Sequence, residues 1–163
     1  KFQGNIVDIL MAPLNNVELA FGFIIGSVCR GVVCGIVTTI GVMIFVPLHV
    51  HSYTALLFFT FMGCTMMGTM GTIVGIWADK WDQQQGITNF IVLPLTFLSG
   101  TFYSIERLPV LLKEISIYNP FFHMIDGLRF SMIGISDGST KFGLLYLLSC
   151  NLVLWFIAYF LYK

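Results

Sequence analysis

The sequence predicts an all-α integral membrane protein built on four membrane-spanning helices, and three observations predict it. Of the 163 residues, 57% are hydrophobic and only 10% charged, with a mean hydropathy of +0.89. That is more apolar surface than a water-soluble domain of this size hides in one core. The apolar residues gather in four stretches, each close to the ~20 residues that cross a bilayer as a helix. The charges are almost all confined to the segments between those stretches and sum to zero, so no basic surface for nucleic acid is present. Aromatic residues at 15%, led by 16 Phe, suit helices that face lipid.

Taken in order, the segment 5–18 comes first. Asp8 to Glu18 reads as a short helix stopped at Pro13, followed by an Asn15-Asn16 cap leading into the membrane, and it is a candidate docking element. The first span runs from Leu19 to Leu48, interrupted only by Arg30. As a helix it is roughly 45 Å long, more than the ~30 Å hydrocarbon core, so it tilts or protrudes. The second span, Tyr53 to Ala78, carries no charge and forms a hairpin with the first. Asp79 to Gln85 is a polar break flanked by Trp77 and Trp81, residues that favour the headgroup boundary. The third span, Gly86 to Tyr103, has Pro94 in its middle and Ser99-Gly100-Thr101 near its end, so it is expected to kink. The fourth, Phe142 to Tyr162, is uninterrupted.

Between the third and fourth spans, residues 104–141 are too polar to cross and are punctuated by Pro109 and Pro120. From Phe121 to Ile135 apolar residues recur at Phe122, Ile125, Leu128, Met132 and Ile135, with His123, Asp126 and Arg129 on another side. That is the pattern of an interfacial amphipathic helix. Leu108 to Ile117 has the same character. If all four stretches span, Lys1, Lys80 and Lys163 lie on one side and Arg107, Lys113, Arg129 and Lys141 on the other, a balance that sets no orientation under the positive-inside rule.

Three Gly-x-x-x-Gly pairs, Gly22/Gly26, Gly31/Gly35 and Gly71/Gly75, allow close backbone approach in lipid and are read as ordinary helix packing before any sliding or dimerising surface. Met62, Met66 and Met70, with Met67 beside them, are core filling before they are a soft lining for apolar substrates. Arg30 costs at least about 2.5 kcal/mol at mid-membrane, so it either snorkels to an interface or takes part in an ion pair or gate. His123, Asp126 and Arg129 share a helix face without any nucleophile beside them, and the Asp–Arg pair is expected to be a surface helix pair of a few tenths of a kcal/mol. His49 and His51 lack the carboxylate or thiolate partners of a metal site, and Cys29, Cys34, Cys64 and Cys150 match no zinc or redox spacing. No metal is therefore assigned. No phosphate-binding loop motif is present, so an ATP-driven role needs a partner.

Three stretches together resemble the permeases of the second ABC exporter type, a family that includes bacterial polysaccharide, lipo-oligosaccharide and multidrug export permeases. Leu93 to Pro109 is similar to that family's signature at the end of its fifth helix. Tyr118-Asn119-Pro120-Phe121, leading to Asp126-Gly127-Leu128-Arg129, is similar to its Asn-Pro turn and following short helix. Asp8 to Glu18, with Ala12-Pro13-Leu14, resembles its coupling segment. The resemblance implies the last four of six spans (19–48, 53–78, 86–103 and 142–162), with the chain the C-terminal portion of a longer permease, as its start at Lys1 also suggests. It implies a cytoplasmic 5–18 that couples to an ATPase through Asp8, Leu10, Pro13, Leu14 and Glu18. It places 104–141 outside, and it makes Pro94, Ser99, Gly100, Phe102, Tyr103, Pro109, Asn119, Pro120, Asp126 and Arg129 the signature and external gate. It further implies a homodimer in the bacterial inner membrane, with ATP and Mg bound by a separate ABC ATPase subunit and no cofactor in this chain. The competing expectations are a small membrane scaffold or channel subunit and a membrane-embedded enzyme using His123 and Asp126.

Overall fold

The computed structural model describes residues 16–45, 50–101 and 109–162. Among them the elements are all helical. They are α1 (Asn16–Met43), α2 (Tyr53–Trp77), α3 (Trp81–Ile87), a π-helical turn (Thr88–Val92), α4 (Leu93–Phe97), α5 (Val110–Ile117), α6 (Pro120–Ile133) and α7 (Thr140–Tyr162). Of these, α1, α2 and α7 are long and apolar enough to cross a membrane.

The helix ends follow from local chemistry. Glu18 falls in the first turn of α1, where a carboxylate favours the positive end of the helix dipole, so Asn16-Val17-Glu18 belongs to the helix and not to a cap preceding it. α1 stops at Met43 and passes into a turn at 44–45, short of the expected Leu48. Ser52 caps α2, its hydroxyl accepting from the Ala55 amide. At the other end of α2, the Gln83 side-chain oxygen accepts from the amides of Asp79 and Lys80 at 2.9 and 3.3 Å and so starts α3. Asn119 caps α6, and Gly134, at φ +80°, ends it, a left-handed position that glycine takes without a Cβ clash.

The third expected span differs most from its sequence reading. Its helical path starts earlier, at Trp81, ends at Phe97, and is not one regular helix. Pro94 has no amide to donate, and its ring clashes with the carbonyl four residues back. The turn before it widens, the Leu93 amide reaching back five residues to the Thr88 carbonyl. The kink expected at Pro94 is thus prepared one turn upstream as a π-bulge, a device common at functional sites.

α2 is the centre of the bundle and packs against α1, α6 and α7. The core is Phe59 and Met66 of α2 with Phe121 of α6 and Leu147 of α7, bordered by Met70, Val92, Leu95 and Met124. Close approach is achieved by glycines other than those singled out by spacing. A Cβ on Gly127 would stand 2.2 Å from the Phe59 ring, and one on Gly68 would meet the Ser27 hydroxyl at 1.9 Å. Of the three spaced pairs, only Gly31 is in contact, against Cys64; Gly22, Gly26, Gly35, Gly71 and Gly75 face open space. The methionine stripe divides, Met66 lying fully in the core and Met67 lining an open cleft.

Candidate functional site

The expected signature residues converge on α6. Asn119 is 2% exposed and works at both ends of its amide. Its oxygen accepts from the Phe121 amide at 3.0 Å, and its NH2 donates to the Leu95 carbonyl at 2.6 Å. Leu95 lies in α4 just beyond Pro94, and the amide that would ordinarily bond its carbonyl, that of Ser99, turns instead to the Thr96 carbonyl. Asn119 therefore satisfies a carbonyl that the broken helix has released while starting α6. Pro120 follows at the first position of α6, where its missing amide costs nothing. Pro109 stands one position further out, at the N-cap of α5. Ser99 is buried, bonding the Thr96 carbonyl and the Thr101 hydroxyl, and Gly100, at φ +74°, completes that turn.

The polar face of α6 turns inward, against the amphipathic expectation. His123 and Asp126 are 4% and 3% exposed, as deeply buried as Phe122 at 2% on the expected apolar side. Asp126 turns inward because it caps the loop leading to α7. It accepts from the Asp137 amide at 2.8 Å and the Gly138 amide at 3.2 Å. Arg129 donates to the Asp137 carboxylate at 3.0 Å and lies 3.5 Å from that of Asp126. The expected surface pair is therefore part of a half-buried latch between the end of α6 and the start of α7, and it includes a carboxylate that the sequence did not single out. Loop residues 137 and 138 carry no period that would have revealed them.

His123 stands among Phe122, Phe142 and Tyr146, with Nε2 2.8 Å from the Ile117 carbonyl. Burial pushes its pKa below the usual value, against the opposing pull of that carbonyl and of Asp126. The Tyr146 hydroxyl donates to the Tyr118 carbonyl, joining α7 to the α5–α6 turn. On the α2 side, the Ser52 amide donates to the Ser131 carbonyl at 3.0 Å and His51 packs edge-on against Phe130. α6 is therefore fastened to α2, α4 and α7 at once. His123 and Asp126 are structural members of this hub, and no Ser or Cys nucleophile stands among their hydrogen-bonding and ring partners.

Deep in the bundle, Asn151 of α7 bonds the Met62 and Leu147 carbonyls at 3.3 and 2.9 Å and accepts from the Thr65 hydroxyl at 3.0 Å. This interhelical tie was legible as a lone amide inside an uncharged span, where such side chains find a partner across the helix contact. Of the remaining expected site residues, Pro94 lies exposed in α4 and Arg30 exposed at the middle of α1. Asp8, Leu10, Pro13, Leu14, Phe102 and Tyr103 lie outside the described residues, as does His49.

The profile of the ABC-2 type transporter family matches residues 1–133. The chain belongs to the ABC-2 type transporter family. Within the ABC-2 type family it is 33% identical over 159 residues to the inner membrane transport permease YadH of Escherichia coli K12, covering 95% of this chain and 62% of that protein. The same figures hold for YadH of Shigella flexneri. A shorter likeness, 30% over 66 residues, covers 40% of the chain and 26% of nodulation protein J of Rhizobium leguminosarum bv. viciae. The chain thus spans about three fifths of the length of the permeases it matches along nearly its whole extent. No solved structure matches it significantly.

Proposed function

We propose that this chain forms membrane spans of the permease subunit of an ATP-binding-cassette exporter in the bacterial inner membrane. It moves a lipid, a lipid-linked saccharide or a hydrophobic drug. The single observation that carries this reading is its membership of the ABC-2 type family over residues 1–133, to which the likeness to an inner membrane transport permease adds the location. ATP and Mg are held by a separate ABC ATPase subunit, and two permeases pair around the path.

The mechanism is mechanical. Glu18 lies in the first turn of α1, so a pull on the segment 5–18 that carries Asp8, Leu10, Pro13 and Leu14 is delivered to a helix packed on α2. α2 carries the displacement to α6, whose bonds to α4 and α7 make the opposite face respond as one body. The π-bulge and Pro94 give the α3–α4 path a bend at which it can yield. ATP binding drives the change only if it favours one arrangement of the helices over the other.

The test is affinity purification of the full-length protein from detergent-solubilised membranes, with and without Asp8→Lys or Pro13→Ala. Co-purification of an ABC ATPase, with ATP turnover no longer linked to export in the variants, is the expected result. Unchanged export in both variants refutes the coupling assignment. A well-folded protein that brings down no ATPase indicates a scaffold or channel subunit instead.

A further inference from the structure

His123 is held in a setting whose contacts suit its neutral form. It is 4% exposed, with the rings of Phe122, Phe142 and Tyr146 at centroid distances of 5.0, 5.5 and 4.8 Å. A carbonyl only accepts, so the 2.8 Å contact with Ile117 puts the ring proton on Nε2 and leaves Nδ1 bare. Nδ1 has no hydrogen-bond partner among the described residues and faces Gly143, where a Cβ would stand 3.2 Å away. The start of α7 therefore closes directly on that nitrogen. A proton added there has no partner in this arrangement, and burial disfavours the charge it brings.

The charged and titratable groups on the elements packed around the ring are Lys113, Glu114 and Tyr118 of α5 and its end, Asp126 and Arg129 of α6, Asp137 in the loop that follows, and Lys141, Tyr146 and Cys150 of α7. Of these, Asp126 is the charged group whose pull reaches the imidazole, three residues along the same helix and so on the same face. Its carboxylate is already committed, accepting from the Asp137 amide at 2.8 Å and the Gly138 amide at 3.2 Å. Gly138 packs tightly there, since a Cβ on it would lie 3.3 Å from the Phe122 ring and 3.4 Å from the Asp126 carboxylate. Arg129 reaches the same cluster, but its Nη2 is buried without a hydrogen bond among the described residues, so the closed arrangement already carries an unpaired donor.

We propose that His123 and Asp126 make this loop a proton-sensitive latch, in which protonation of His123 draws the Asp126 carboxylate off the amides of Asp137 and Gly138 and frees α6 from the start of α7. On the export reading above, which this latch presupposes, the loop faces the outer compartment, and acidification there slows export by breaking the rigid connection between α6 and α7. The direction follows from linkage. In the closed latch, burial holds the His123 pKa below its ordinary value, against the opposing pull of the Ile117 carbonyl and of Asp126. Opening returns the ring to water, where it takes up a proton near about pH 6.5. The open form therefore gains on the closed one as pH falls from there to the lower closed-state value, by up to about a factor of ten per pH unit.

The experiment is hydrogen-deuterium exchange of the full-length protein in nanodiscs at about pH 7.5 and about pH 5, both above the range in which carboxylates ordinarily titrate. Amide protection over 136–139 is corrected for the intrinsic exchange rate, with the amides of α2 as control. Protection of the loop is expected to fall about tenfold at the lower pH in the wild type, while α2 stays protected. His123→Gln, whose side-chain amide can donate to the Ile117 carbonyl without titrating, is expected to keep the loop protected at both values. Asp126→Asn, with no carboxylate to be drawn away, is expected to leave it weakly protected at both. A wild-type loop equally protected at the two values overturns the proposal, as does a fall of the same size in His123→Gln. Should His123→Gln fail to fold, a full-sized fall in Asp126→Asn overturns it instead, and so does loss of protection in α2 in step with the loop, which marks global unfolding. Exchange is read without ATP or a partner protein. Failure of an ATPase to co-purify thus removes the export reading and leaves the latch, whereas a pH-insensitive loop removes the latch and leaves the export reading.

Discussion

Asn119 is the residue on which the hub makes its sharpest demand, because its amide is used once as acceptor and once as donor. Asn119→Asp keeps the acceptor, and aspartate is as good a helix N-cap as asparagine. What it loses is the donor to the Leu95 carbonyl, leaving that buried oxygen unsatisfied and facing a carboxylate. An unsatisfied buried acceptor costs about 1–3 kcal/mol. Asn119→Ala adds loss of the cap, typically ~1 kcal/mol, so the two variants are expected to lose roughly 1–3 and 2–4 kcal/mol. The assay is equilibrium unfolding of the full-length protein in mixed micelles of rising SDS content, followed by tryptophan fluorescence, which Trp77 at the end of α2, Trp81 at the start of the α3–α4 path and Trp155 on α7 supply. An Asn119→Asp protein as stable as wild type would show that α4 is held by something other than this bond and would refute the bidentate role.

Three further outcomes follow from the same geometry. Asn151→Leu and Thr65→Val should each destabilise the α2–α7 contact by about 0.6–1.7 kcal/mol, and the double variant should lose less than their sum, since both remove one bond; strict additivity in the same unfolding assay would count against it. Gly127→Ala forces a methyl into the Phe59 ring and should cost about 1–3 kcal/mol, with Phe59→Leu restoring part of the loss; a Gly127→Ala protein unfolding at the wild-type midpoint would mean that the helices separate freely there. Burial holds the pKa of His123 in the fold below its ordinary value, so the unfolded chain binds the extra proton first as pH falls. Its contribution is intact above about pH 6.5 and falls away as pH drops from there through the lower folded value. Unfolding midpoints taken across that range should decline for wild type and decline less for His123→Gln, and parallel curves would remove His123 from the hub's pH response.

The membrane class and the punctuation at Pro94, Pro109 and Pro120 were legible in the sequence, because they depend on local quantities. Transfer of apolar residues out of water and the missing amide of proline act over one or two turns of chain. Asn119, Pro120, Asp126 and Arg129 were recognisable as a group through their likeness to a family signature, and the structure brings them to one helix. Their roles were not legible. Helical periodicity assumes that polar residues seek water, and His123 and Asp126 turn inward because the loop before α7 presents two amides, and Ile117 a carbonyl, that need partners. Which glycines permit close approach was equally hidden, since Gly127 and Gly68 belong to none of the spaced pairs, and it is the crossing of α2 with α6 and α1 that selects them. By itself the sequence determined that the chain is an all-helical membrane protein, while the end of α1 at Met43 and the broken path from Trp81 to Phe97 departed from the expected bounds. Only the tertiary structure decided which polar groups face one another, because a buried hydrogen bond needs two partners and the sequence shows them one at a time.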